Sequence, residues 1–253
     1  MLGEQTVLTS ALFGTEEHLR ARLLPILRSF ISFVHPMLPI LRRLESGRAG
    51  RDGNPATCLL FYRMADVFKQ STMVQHEKTG IANLYNIVRY ATEAGTCRRM
   101  RLAEHFEEAW EPSWCQEKCD VCLDSTSSVS KFDVAEEARS AVDIIKENLA
   151  NAKDGSGRIT GNKLAELLSK RLKKDKDFCE SLVVFLLLNG FLQEDFHYTV
   201  YSVISYVVVG PRWKTLDKKP IMMTISGGSP KKNERKRKIV VQNDSDDDFV
   251  VLD

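Results

Sequence analysis

Apolar residues recur at helical spacing twice along this chain, and between and after those stretches the pattern changes. Over residues 64–110, Ile81, Leu84, Tyr85, Ile87 and Val88 share one helical face. A second helix starting near Cys97 would turn Met100, Leu102, Phe106 and Trp110 inward. Residues 123–131 are rich in Ser and Thr and read as a linker. Three helices follow, over 134–149, 160–172 and 177–189; Leu164, Leu167, Leu168 and Leu172 line the middle one. Gly190 is a natural helix stop. Residues 191–196 and 200–209, rich in Val, Ile, Tyr and Phe, read as two strands around polar 197–199. Three helices and then a hairpin is the order of a winged helix.

The ends are less regular. Residues 16–27 fit a helix and 30–34 a short strand, but Pro25, Pro36 and Pro39 interrupt longer elements. Residues 45–55 are a Gly/Arg loop, followed by a strand-length apolar run at 57–62. Beyond 214 periodicity is lost, so 214–253 reads as a disordered tail with a basic block and an acidic block.

Composition is ordinary for a globular protein: 43% hydrophobic, 28% charged, net charge +2. Local basic stretches at 20–28, 42–51, 98–101, 170–176 and 231–238 are offset by the acidic end at 244–253. No secretory leader and no membrane-spanning run are expected; the apolar stretch 183–188 is too short and ends at Asn189-Gly190. A reducing compartment follows as the expectation.

Four of the six cysteines carry the main chemistry. Cys97, Cys115, Cys119 and Cys122 follow C-x17-C-x3-C-x2-C, the last three within eight residues. Two readings fit four thiols at such spacing, a structural zinc or a pair of disulfides. A reducing compartment favours zinc held by four thiolates, with no position open for catalysis. Cys58 and Cys179 sit in apolar runs as core residues, and His105 is not expected as a ligand.

The run Glu45-Ser-Gly-Arg-Ala-Gly-Arg-Asp52 resembles the last helicase motif of RecQ-type ATP-dependent DNA helicases. Cys58-Leu-Leu-Phe-Tyr62, the helix pair, Cys97-Arg-Arg, the cysteine knuckle and the hairpin domain follow in the family's order. Leu187-Leu-Asn-Gly-Phe-Leu-Gln-Glu-Asp195 and Ile204-Ser-Tyr-Val-Val-Val-Gly-Pro211 are most similar to its short animal members. The resemblance covers roughly residues 45–211. Leu44 stands where the family usually has Gln, and residues 1–44 match poorly. No G-x-x-x-x-G-K-[ST] phosphate loop occurs in the sequence.

The resemblance implies a multidomain fold, α/β and α+β. Its parts are a poorly matching segment (1–44), the end of a truncated second RecA-like lobe (45–63), a helical zinc-binding module (64–124), a winged helix (132–211) and the tail (214–253). It implies a 3′–5′ DNA helicase of repair, recombination and replication, here without its ATP-binding lobe and so inactive alone. The alternative is a non-enzymatic zinc-containing DNA-binding or regulatory protein.

Arg48 and Arg51 would face the γ-phosphate of ATP with Mg2+ in a complete helicase; otherwise they are a basic surface loop. Zinc would be structural. Lys170, Arg171, Lys173 and Lys174 would contact phosphates of forked or duplex DNA, or form a solvated loop. Tyr201 matches the family's hairpin-tip tyrosine, and Tyr198 lies beside it; core packing is the alternative for both.

Lys231, Lys232, Arg235, Lys236, Arg237 and Lys238 read as a nuclear import signal or a solvated charge run, giving a nuclear location. Residues 244–253 join acidic residues to Phe249-Val-Val-Leu252. They resemble a small-ubiquitin-like-modifier interaction motif; a solubilising acidic end is the bland alternative. No membrane partner is expected.

Overall fold

The computed structural model describes residues 62–123, 129–152, 157–216 and 219–226, with three short strands before them. Those strands, β1 (Gln5–Leu8), β2 (Ile31–Ser32) and β3 (Ala56–Leu60), form a parallel sheet in the order β1-β3-β2. Gln5 aligns with Ala56 and Ile31 with Leu59. The helix expected over 16–27 lies outside the described residues, as do Arg48, Arg51 and the tail beyond Ser226.

Helices α1 (Met64–Val74) and α2 (Gly80–Thr92) pack against each other, and α3 (Arg98–His105) leads into the knuckle. The knuckle is a single 3-10 turn at Pro112–Cys115 followed by the short α4 (Asp120–Leu123). Helix α3 is shorter than its apolar residues suggest. It ends at His105, and Phe106 and Trp110 lie beyond it, half-buried; only Arg98 and Ala103 of α3 are buried. Trp110 meets Trp114 edge-on, with ring centroids 5.6 Å apart.

Strand β4 (Val129–Asp133) precedes α5 (Ala135–Asn151), α6 (Gly161–Leu172) and α7 (Lys176–Leu188). Local signals explain the boundaries. The Thr160 hydroxyl accepts from the Lys163 amide to open α6, and the Asp175 carboxylate accepts from the Asp177 amide to open α7. Gly190, with φ +73°, turns the chain out of α7 in the left-handed conformation that glycine adopts without strain. Strands β5 (Leu192–Tyr198) and β6 (Val203–Val209) then pair antiparallel, Leu192 opposite Val209 and Tyr198 opposite Val203.

Two expectations are corrected here. Residues 129–131 are not linker, and residues 222–226 are not disordered tail: β7 (Met222–Ser226) returns to pair antiparallel with β4. The Asp133 carboxylate accepts from the amides of Ala135 and Ile221 at 3.1 and 2.9 Å, joining that return to the start of α5. Leu216, Ile221 and Met223 are buried against the core, which is why this segment orders although its sequence shows no period.

One apolar cluster runs through α1, α2, α5, α6, α7 and the hairpin. It includes Phe68, Leu84 and Val88 together with Ile145, Leu164, Leu182, Leu186, Leu192 and Val207. Helix α1 approaches α6 so closely that a Cβ on Gly161 would meet the Phe68 ring at 2.0 Å. Among the described residues no helix is long and apolar enough to cross a membrane.

Candidate metal centre and hairpin tip

The four cysteines converge. The sulfurs of Cys97, Cys115, Cys119 and Cys122 all lie within 4.8 Å of one another, and Cys97 and Cys119 are 3.8 Å apart. Four sulfurs at ~2.3 Å from a tetrahedral zinc are separated by about 3.8 Å, so the cluster fits that ion. A disulfide needs ~2.05 Å, and all four thiols are free.

Local structure aims each ligand. Cys97 is the residue before α3, Cys115 ends the 3-10 turn, Cys119 precedes α4 and Cys122 lies within it. Between Cys115 and Cys119 the chain reverses through two left-handed residues, Gln116 (φ 50°) and Glu117 (φ 57°). Two adjacent non-glycine residues in that region are strained, and the reversal lets Cys115 and Cys119 face one point.

The thiols' acidities reflect crowding. Burial pushes Cys97 and Cys122 upward, and neighbouring sulfurs add to it. At Cys119 burial also acts upward, but amides of Cys122 and Arg98 and the adjoining thiols outweigh it and lower the pKa. Were all four thiols deprotonated, charges so close together would need a cation among them.

Outside the sulfurs stands Arg98, itself buried. Its guanidinium donates to both carboxylate oxygens of Asp120 at 3.1–3.3 Å and to the carbonyls of Tyr90 and Glu93.

The hairpin is the second candidate site. Its turn closes through the Thr199 amide donating to the Ser202 carbonyl at 2.9 Å and the Ser202 amide donating to Thr199 Oγ1 at 3.0 Å. That leaves Val200 and Tyr201 at the apex, 91% and 96% exposed. The sequence pattern had placed both inside a strand; the turn sits two residues later than the polar stretch 197–199 suggests. Tyr201 is therefore not a core residue. Tyr198 is 62% exposed, and its hydroxyl donates to Gln75 Oε1 at 2.6 Å, tying the outer hairpin to the end of α1.

The basic run at 170–174 is largely paired with acids. Lys170 bonds Glu166 at 2.6 Å, Arg171 bonds Glu147, and Lys174 bonds Glu137 at 2.5 Å. Lys173 is the left-handed residue that ends α6 (φ 53°). Cys179 is buried in α7, and His105 is exposed at the end of α3.

Sequence reasoning missed Glu194. It is 7% exposed and accepts from Ser71 Oγ (2.5 Å), Ser205 Oγ (2.6 Å) and the Tyr85 hydroxyl (2.7 Å). The signal was present: in Leu192-x-Glu194-x-Phe196 the alternation of β5 puts a carboxylate where an apolar residue is expected.

Fold and cluster define a class, a helical four-cysteine module joined to a three-helix-and-hairpin domain. Residues 64–123 match the RecQ zinc-binding family. The chain is 67% identical over 186 residues to a putative ATP-dependent DNA helicase Q1 of Caenorhabditis briggsae, covering 72% of this chain and 30% of that protein. It is 59% identical over 216 residues to the Caenorhabditis elegans protein of the same description, covering 83% and 34%. With the mouse ATP-dependent DNA helicase Q1 it shares 35% over 179 residues, covering 66% and 27%. The chain belongs to the RecQ helicase family, as a C-terminal region of it. It spans about a third of the length of the nematode relatives.

Proposed function

We propose that this chain serves as the DNA-engaging C-terminal region of an ATP-dependent 3′–5′ helicase, with the β5–β6 hairpin meeting the end of a duplex. The observation that carries the reading is Tyr201, an aromatic side chain 96% exposed at the apex of a seven-residue-stranded hairpin. Leaving such a ring in water is unfavourable, and a base pair at a fork offers it a flat apolar face. Base–aromatic stacking contributes ~1–3 kcal/mol, comparable to the mean of ~1.4 kcal/mol for one DNA stacking step. A tip tyrosine can thus compensate for the stacking lost when the last pair opens. The order α5, α6, α7, β5, β6 supports a winged-helix reading of this domain.

Cys97, Cys115, Cys119 and Cys122 would hold a zinc ion. It would supply a cross-link between α3 and the knuckle, and its thiolates would leave no position for a substrate. Arg48 and Arg51 would serve ATP hydrolysis in the complete helicase, with Mg2+. The acid-paired run at 170–174 is a weaker candidate for phosphate contact, since each ion pair would have to exchange partners. A nuclear role in repair, recombination and replication accompanies the reading.

The test uses forked DNA carrying a fluorescent base analogue in the last pair before the fork. The chain should change its fluorescence, and Tyr201→Ala should abolish that change while reducing overall affinity far less. An unchanged signal with Tyr201→Ala would remove the reading.

A further inference from the structure

A buried carboxylate is an unusual way to attach a hairpin to its neighbours. Ion burial is costly, and an apolar side chain of similar volume at the same place is often neutral or stabilising. Glu194 nevertheless occupies the inward position of β5 between Leu192 and Phe196. Among the described residues its hydrogen-bond partners are three hydroxyls, none cationic. Two come from outside the hairpin, Ser71 on α1 and Tyr85 on α2; the third, Ser205, is on β6.

The carboxyl therefore joins three elements at one point: the hairpin and both helices of the adjoining module. Apolar contact resists separation but tolerates sliding, whereas hydrogen bonds also fix direction. Direction matters here because of leverage. From Glu194 to Thr199 the strand advances five residues, roughly 17 Å at ~3.4 Å each. A rotation of ~10° at the clamp would move the apex by about 3 Å, close to one base-pair rise. The Tyr198–Gln75 bond farther out is exposed to water and resists it only weakly.

The same network accommodates a proton. Burial pushes the Glu194 carboxyl upward from its ordinary value, against hydrogen bonds from Ser205, Ser71 and Tyr85 that act downward. Ser71 Oγ also lies 2.9 Å from the Phe68 carbonyl. A neutral Glu194 can donate to Ser71 Oγ while Ser71 donates to Phe68, so the clamp holds without a buried charge.

We infer that Glu194 is a positioning residue: bonded to Ser71 and Tyr85, it sets the angle at which the β5–β6 hairpin presents Tyr201 to DNA. The role of Tyr201 rests on the function proposed above; the clamp itself does not.

Two measurements on the full zinc-loaded chain separate these parts. Residual dipolar couplings of backbone amides compare the outer hairpin, residues 196–205, with α1 and α2. All chains carry Tyr198→Phe, so that the exposed Tyr198–Gln75 bond does not hold the outer hairpin; the parent and Glu194→Gln should then fit one common alignment. In Glu194→Leu the outer-hairpin couplings should shrink while those of α1 and α2 persist. Should Glu194→Leu fail to fold, the double variant Ser71→Ala, Tyr85→Phe decides, since it removes only the module's hydroxyls. Ser205→Ala, which removes a bond internal to the hairpin, should keep the common alignment.

Couplings unchanged in Glu194→Leu, or in the double variant where it stands in, would overturn the inference. The forked-DNA signal is the second readout. Loss of both alignment and signal is the expected result. Lost alignment with an intact signal, when Tyr201→Ala abolishes it, overturns the positioning role and spares the proposed function. No effect of Tyr201→Ala means the functional reading has failed, and the positioning role with it.

Discussion

Arg98 and Asp120 form a bridge directly behind two sulfurs of the cluster. Arg98 follows Cys97, Asp120 follows Cys119, and the guanidinium reaches both carboxylate oxygens at 3.1–3.3 Å. Arg98 also donates to the carbonyls of Tyr90 and Glu93 near the end of α2. One buried side chain thus joins α2, α3 and the knuckle.

Arg98→Ala should destabilise the chain by about 3–5 kcal/mol, because it strands a carboxylate and two carbonyls in partly buried surroundings. Zinc affinity should fall ~10–100-fold, as for other groups that orient metal ligands. Urea unfolding and competition with a chromophoric chelator would check each number. Asp120→Asn should give a smaller loss in both.

The cluster itself predicts about one zinc per chain. Cys119→Ser should lose the metal and make residues 64–123 sensitive to protease, since zinc binding and folding are coupled at such sites. Metal content by atomic emission, followed by limited proteolysis, reads both. Retention of a full equivalent of zinc would contradict the ligand set.

At the hairpin apex, function and stability should separate. Tyr201→Ala removes a side chain that is almost fully exposed, so the melting temperature should stay within about a degree, consistent with a change of under ~0.5 kcal/mol. DNA affinity should meanwhile fall steeply between 50 and 200 mM salt for both chains, because phosphate contacts release counterions. Calorimetry and anisotropy titrations at several salt concentrations test the two statements.

Glu194 predicts a pH dependence with a definite sign. Burial raises its folded-state pKa, so the native chain holds a proton that the unfolded chain releases. Stability from this site is intact below the unfolded value of about 4.3. It falls as pH rises toward the folded value and is constant above that. Gln cannot ionise. The melting temperature of Glu194→Gln minus that of the parent should therefore grow with pH from about 4.3 upward, then level off. The thiolate cluster's own acid sensitivity is common to both chains and cancels in the difference. A difference that shrinks with rising pH would contradict the assignment.

Much of this was legible in the chain. The 3.6-residue period located α5–α7 to within a few residues, because each buries one face, but left α1 and α2 as parts of one helical stretch from residue 64, with the break between Val74 and Gly80 unmarked. Cysteine spacing picked out the four thiols that the fold brings within 4.8 Å of one another. What local pattern could not supply was set at a distance. β4 and β7 pair across some ninety residues, and neither has a period of its own. α3 stops at His105 because the knuckle needs the following chain, although apolar residues continue to Trp110. The basic run at 170–174 was visible, but not the carboxylates of Glu137 and Glu147 that α5 brings to it.

By itself, then, the sequence determined the three helices before the hairpin, the hairpin and the set of four cysteines, all products of local periodicity or spacing. Only the tertiary structure decided that the helices of the cysteine module share a core with the hairpin domain. It alone decided that Tyr201 stands at the apex rather than inside, and that Glu194 meets Ser71 and Tyr85 from more than a hundred residues away. Such contacts depend on how completed elements stack. Packing is specified by the joint shape of many side chains, which no window along the chain contains.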